Sequence, residues 1–239
     1  MDRLFNMDNK FFTFMGRVAD LFILNVLCVI CCIPIVTAGA SLTATFYVAM
    51  KMVRNEESYI TKDFFKSFKQ NFKQATLINV IMLVTAVVLA LDINIVKNIG
   101  GSLSKPLTLV FMAFAVVYTF IFLYIYPILA KFYNTTKNTF VNALLMSIRH
   151  LPYTILMTII SVLPFAVLFI PNTQIMFGAL TIVIVIGPAC VAYSNASFFV
   201  KIFDNYIPKE EKAEENSETL EPLTFGEEPA AVPEKPDEL

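Results

Sequence analysis

Few residues in this chain could do chemistry, and their spacing narrows what kind. Cys28 and Cys31 stand in CxxC spacing, which in a cytosolic loop would point to metal or redox chemistry. Both lie in an apolar run, as do Cys32 and Cys190, and there a cysteine behaves as a small apolar residue. His150 is the one histidine, whereas a His-ligated metal enzyme needs several ligands at one site. With seven glycines in all, the chain has neither a Gly-rich phosphate loop nor a GxSxG nucleophile turn. No catalytic residue, metal ligand or cofactor is therefore expected. The Lys stripe of residues 61–74 is better explained by lipid headgroups than by nucleic acid, so no nucleic-acid partner is expected either.

What remains are polar side chains in apolar surroundings. Asn25 and Asn79 fall well inside apolar blocks, and Thr37, Ser41, Thr43 and Thr45 crowd the stretch IPIVTAGASLTATFYVAM that starts at residue 33. A buried amide needs hydrogen-bond partners, and these hydroxyls are plausible ones. Two readings stay open: contacts between packed helices, or the lining of a path for a neutral solute. Asp20, one turn inside the first apolar run, is expected to pair with Arg17 at i,i+3. Pro127, Pro164 and Pro188 each interrupt an apolar block, either exposing backbone carbonyls to a substrate or merely kinking a helix.

The elements that must position these residues are membrane spans. The chain is 57% hydrophobic and 15% charged, against about 25% charged in soluble domains. A hydrocarbon core about 30 Å thick takes roughly 20 helical residues to cross, and apolar blocks near that length recur without the alternation of barrel strands. The predicted fold is all-α, a polytopic transmembrane helical bundle of six spans near 18–36, 38–53, 75–92, 106–130, 151–170 and 175–200. If residues 38–53 do not cross, the number is five.

Charge sets the orientation. Lys and Arg cluster before residue 18, in 51–73 and in 131–150, while 92–105 holds only Lys97 and Lys105 and 170–174 holds none. If residues 38–53 form a short return helix, with Pro34 and Gly39 marking the turn, twelve of the fourteen Lys/Arg in residues 1–200 share one side. The positive-inside bias makes that side cytoplasmic, with both termini. The small residues of the return helix let backbones approach closely, which places it in the middle of the bundle. Ala38-Gly39-Ala40 also fits a signal-peptide cleavage site, but the segment before the apolar run is long and Phe-rich for one.

Residues 61–74, TKDFFKSFKQNFKQ, show helical periodicity, with Phe64, Phe65, Phe68 and Phe72 on one face and Lys62, Lys66, Lys69 and Lys73 on another. Thr61 can cap the start and Asp63 suits the positive end of the dipole. The pattern predicts a separate amphipathic helix in the cytoplasmic interface, held by anionic lipid or docked on a partner subunit. A weaker segment, NTFVNALLMSIRH, precedes the fifth span, where Pro152 suits the first turn. From Pro208 the chain has five prolines and eleven acids, too polar to fold, so 208–239 is expected to be a disordered acidic tail beside a membrane domain at 1–207.

Four phrases together are similar to one family: IPIVTAGASLTATFY at 33–47, FFKSFKQNFKQA at 64–75, YPILAKFYNTTKNTFVNALLMSIRHLP at 126–152 and AYSNASFFVKIFDNYIP at 192–208. They resemble the YesL family of bacterial membrane proteins, from about residue 4 to residue 208. The resemblance implies a polytopic membrane protein without established activity, often encoded beside carbohydrate uptake systems, and it brings no catalytic or ligand residues with it. The expectation is a non-catalytic protein of the bacterial cytoplasmic membrane, accessory to carbohydrate uptake. Its partners would be membrane lipid, and ABC-type transporter subunits or a second copy of itself. The alternative is a small transporter or channel for a neutral solute.

Overall fold

The computed structural model describes residues 10–56, 59–99 and 103–206. Every element among them is helical: α1 Lys10–Cys32, α2 Ala38–Arg54, α3 Ile60–Ile99, α4 Ser104–Lys131, α5 Thr136–Arg149, α6 Leu151–Val162 and α7 Thr173–Phe203, with 3-10 turns at Ile35–Thr37 and Leu163–Phe169. The acidic tail from Pro208 lies outside the described residues.

Six segments are long and apolar enough to cross a membrane, and Ile35–Arg54 is one of them, so the arrangement has six spans rather than five. That segment differs from the rest. Its apolar window is 61% buried inside the protein, against 11–17% for the other five, whose side chains face outward where lipid would be. Gly39, Ala40, Ser41, Ala44, Val48 and Ala49 are all buried on α2, and their small size is why other helices can close around it. The expected central return helix is thus present.

Local chemistry explains the helix ends. α2 stops at Asn55, which takes the left-handed conformation (φ 57°) that closes a helix C-terminus and that Asn tolerates better than most residues. Thr135 caps α5 through its hydroxyl, and Asn172 caps α7 by accepting the backbone N–H groups of Gln174 (3.0 Å) and Ile175 (3.2 Å). Pro152 sits in the first turn of α6.

Several sequence expectations change. The separate interfacial helix at 61–74 does not exist as such. It is continuous with the following span as α3, forty residues without Gly or Pro to break them and about 60 Å long. α3 begins at Ile60, so Thr61 is inside the first turn rather than capping it; Asp63 lies in that first turn, as expected, and also pairs with Lys51 at 3.0 Å. The Phe residues do not share one environment: Phe64 is fully buried, whereas Phe65 and Phe72 are 39% and 37% exposed. The face of α3 that meets the bundle runs through Phe64, Ser67, Ala75, Ile78 and Asn79, because 3.6-residue periodicity carries the i+4 row Phe64–Phe68–Phe72 steadily off it.

The Arg17–Asp20 pair is also not formed. Arg17 reaches out of its own helix to the hydroxyl of Tyr193 at 3.1 Å and to the side-chain carbonyl of Asn55, tying α1 to α7 and to the end of α2. The fifth span changes character at Pro164, passing from α6 into seven residues of 3-10 helix, since proline cannot supply the N–H an α-turn needs.

Arg17, Lys51, Arg54, Lys131 and Lys201 gather at one end of the bundle, fastened by Arg54–Asp204 (2.7 Å) and Lys51–Asp63. An aromatic cluster forms part of the core. Phe199 meets Tyr124 edge-on at 5.0 Å and Phe46 at 5.9 Å, and Phe203 meets Phe132 at 5.1 Å.

Candidate functional site

Asn25 is 1% exposed on α1 and faces α7 where Pro188 interrupts it. A proline has no N–H to give the carbonyl four residues back, so the carbonyl of Ile184 loses its helical donor. Asn25 Nδ2 supplies it, donating to Ile184 O at 3.0 Å and to Val185 O at 2.6 Å. Its Oδ1 accepts the backbone N–H of Ala189 at 3.0 Å. One carboxamide therefore satisfies three backbone groups around the break.

Asn79, on α3, does the same for a different junction. Its Nδ2 donates to the carbonyl of Ile35 in the turn before α2 (2.8 Å), and its Oδ1 accepts the hydroxyl of Tyr126 on α4 (2.9 Å). Gly39 makes this possible. A Cβ there would stand 2.6 Å from the carbonyl oxygen of Ala75 and 2.7 Å from the Cβ of Asn79, so only glycine allows α2 and α3 to meet this closely.

The α2 hydroxyls expected to partner these amides bond elsewhere. Thr37 donates to the carbonyls of Cys31 (2.7 Å) and Pro34 (2.9 Å), closing the turn. Ser41 donates to Cys28 O on α1 at 2.9 Å. Thr43 and Thr45 bond back to Gly39 O and Ser41 O, each at 2.8 Å, the four-residue return bond that buried helical threonines make. The structure thus brings Ser41 against Cys28 and Gly39 against Asn79, but it does not bring the six polar candidates together around one cavity.

Lys62, Lys66, Lys69 and Lys73 are all exposed along α3. Beside them, between α3 and the α4–α5 connection, lies a groove of about 450 Å³ whose walls include Asn71, Gln74, Asn134 and Asn138 with Leu129 and Phe132. Sequence reasoning missed these residues, as it missed Tyr126. Their only signal is the run of amides and hydroxyls at 70–74 and 134–138, which lies across a gap of about sixty residues.

His150, between α5 and α6, has its pKa lowered, first by burial and then by the adjacent Arg149 charge. Among the described residues no group of His, Cys, Asp and Glu is placed to hold a metal ion.

A family model described as a protein of unknown function, DUF624, matches residues 21–93. The match supports assignment to the YesL family. The matched segment runs from within α1 to within α3, and so contains Asn25, all of α2 and Asn79. No curated protein and no solved structure matches the chain. Among the described residues six helices are long and apolar enough to cross a membrane, and most of the surface of five of them is turned outward.

Proposed function

We propose that this protein is an accessory membrane protein that associates with a carbohydrate uptake system in the bacterial cytoplasmic membrane, both of its termini being cytoplasmic. The observation that carries the reading is the exposed row Lys62, Lys66, Lys69 and Lys73 on a helix continuous with a span. Such a row is rigidly tied to the bundle and stands clear of it, in reach of an acidic partner surface. It suits electrostatic docking more than it suits a buried path.

The polar groups that could line a solute path are instead committed to backbone partners within and between helices, which speaks against the transporter reading. The link to carbohydrate uptake, through ABC-type transporter subunits, rests on the YesL resemblance. Self-association is the competing mode of assembly.

The test is a mild-detergent pull-down from native membranes, read by mass spectrometry, with the triple variant Lys66→Glu, Lys69→Glu, Lys73→Glu alongside. Recovery of transporter subunits that the triple variant loses supports the proposal. Recovery of this chain alone, or of unrelated proteins unaffected by the triple variant, overturns it.

A further inference from the structure

The groove beside α3 shares Lys66 with the docking row and otherwise has no part in the roles above. Its larger part, about 450 Å³, is lined by Asn71, Gln74, Tyr133, Asn134, Thr135 and Asn138. A smaller part of about 220 Å³ continues from it along α3 toward α2 and adds Tyr47, Lys66, Gln70 and Lys131. Asn71, Leu129, Phe132 and Tyr133 border both, so the two parts lie side by side.

The wall is built rather than incidental. Gln74 Nε2 donates to the backbone carbonyl of Asn134 at 2.8 Å, and Gln70 Nε2 donates to the hydroxyl of Tyr133. These two bonds strap the α4–α5 connection to α3 and fix the two edges of the groove.

Its chemistry has a sign. Among the described residues no carboxylate lines either part, while Lys66 and Lys131 both line the smaller one. α5 starts at its edge: Thr135 is the cap, with its hydroxyl accepting the N–H of Asn138 at 3.4 Å. The positive end of the α5 dipole therefore lies beside the groove. Beside Leu129 and Phe132, the side chains around this positive field include amides and hydroxyls, which donate to and accept from alcohols. Lys131 is also the last residue of the α4 span, so the groove lies at the level where lipid headgroups stand.

We propose that this groove binds the phosphate ester of a small polyol. Lys66, Lys131 and the amino end of α5 attract the phosphoryl group, and the carboxamides of Asn71 and Asn138 bond the hydroxyls. The ester has two sources with the same chemistry, the headgroup of an anionic phospholipid or a soluble glycerol phosphate. The inference does not depend on the accessory role proposed above.

The experiment uses the full chain in detergent micelles, with phosphatidylglycerol, phosphatidylcholine and glycerol 3-phosphate as probes. Native mass spectrometry counts retained lipid, and titration calorimetry follows the soluble ester. Two variants accompany the wild type. Asn138→Asp keeps the side-chain shape and favours the helix start, yet puts negative charge in the groove; Lys66→Gln removes a positive one. Each variant is expected to weaken binding about tenfold, the usual scale for one charge-assisted contact.

Phosphatidylglycerol retained over phosphatidylcholine and not displaced by glycerol 3-phosphate identifies the lipid as the source. Binding of glycerol 3-phosphate, or its displacement of the lipid, identifies the soluble ester. The proposal is overturned if neither ester binds more tightly than phosphatidylcholine, or if both variants, folded by circular dichroism, bind as the wild type does.

Discussion

The carboxamide of Asn25 fills the gap that Pro188 opens in α7, bonding Ile184 O and Val185 O with its nitrogen and the Ala189 N–H with its oxygen. A proline break in a lipid-surrounded helix needs such a partner, because no water is at hand to satisfy freed backbone groups. Here the partner comes from the first span, 164 residues away from Ala189.

Asn25→Leu should therefore destabilise the bundle by about 2 kcal/mol, the cost of leaving buried backbone groups unpaired. The same change in a Pro188→Ala background should cost less, since an alanine at that position brings back the N–H that can donate to Ile184 O. A double-mutant cycle on unfolding in mixed micelles measures the coupling. Equal losses in both backgrounds would separate Asn25 from the proline.

Gly39→Ala should destabilise by roughly 1–3 kcal/mol, the range for an overpacked contact. The backbone oxygen of Ala75 lies 2.6 Å from the new Cβ and cannot swing away as a side chain could. Gly178→Ala is the control, because nothing lies within 4 Å of its Cβ position. Thermal unfolding in one detergent compares the two, and similar melting temperatures would refute the close approach of α2 to α3.

Tyr126→Phe removes the donor to Asn79 Oδ1 and should cost about 1 kcal/mol, typical of a hydrogen bond between membrane helices. Asn79→Leu should cost more, since it also strands the carbonyl of Ile35. If the order of the two were reversed in the same unfolding assay, the Ile35 bond would not be contributing.

His150 gives a pH dependence with a defined sign. Its folded pKa is below the ordinary value of about 6.5, so the unfolded chain binds its proton more readily in that window. Stability should fall as pH drops from about 6.5 to the folded pKa and level off below it. His150→Gln should remove this component, read as the difference between the two melting curves across that range. Because the chain has one histidine, no second imidazole confuses the comparison. A wild-type and a variant curve running parallel through the window would rule the assignment out.

Much of the scaffold was legible along the chain. The apolar blocks predicted the six spans, and the small residues of 38–53 predicted that α2 would sit at the centre, since both follow from the side chains a helix presents to its surroundings. The Lys row of α3 was legible for the same reason, as a helical period of exposed charge. The continuity of α3 was less so, because a switch from amphipathic to apolar composition invites a break that its forty residues, free of Gly and Pro, do not make.

The polar candidates were found but their partners were not. Composition located Asn25 and Asn79, and it suggested the α2 hydroxyls as their partners. Those hydroxyls instead bond carbonyls within α2, in the turn before it or on α1, while the amides reach α7, α4 and the turn. The sequence by itself determined which segments enter the bilayer, because transfer from water to hydrocarbon depends on each segment's own side chains. Only the tertiary structure decided which buried polar groups satisfy one another, because a hydrogen bond requires two atoms within about 3 Å, and residues far apart in sequence meet only once the helices have packed.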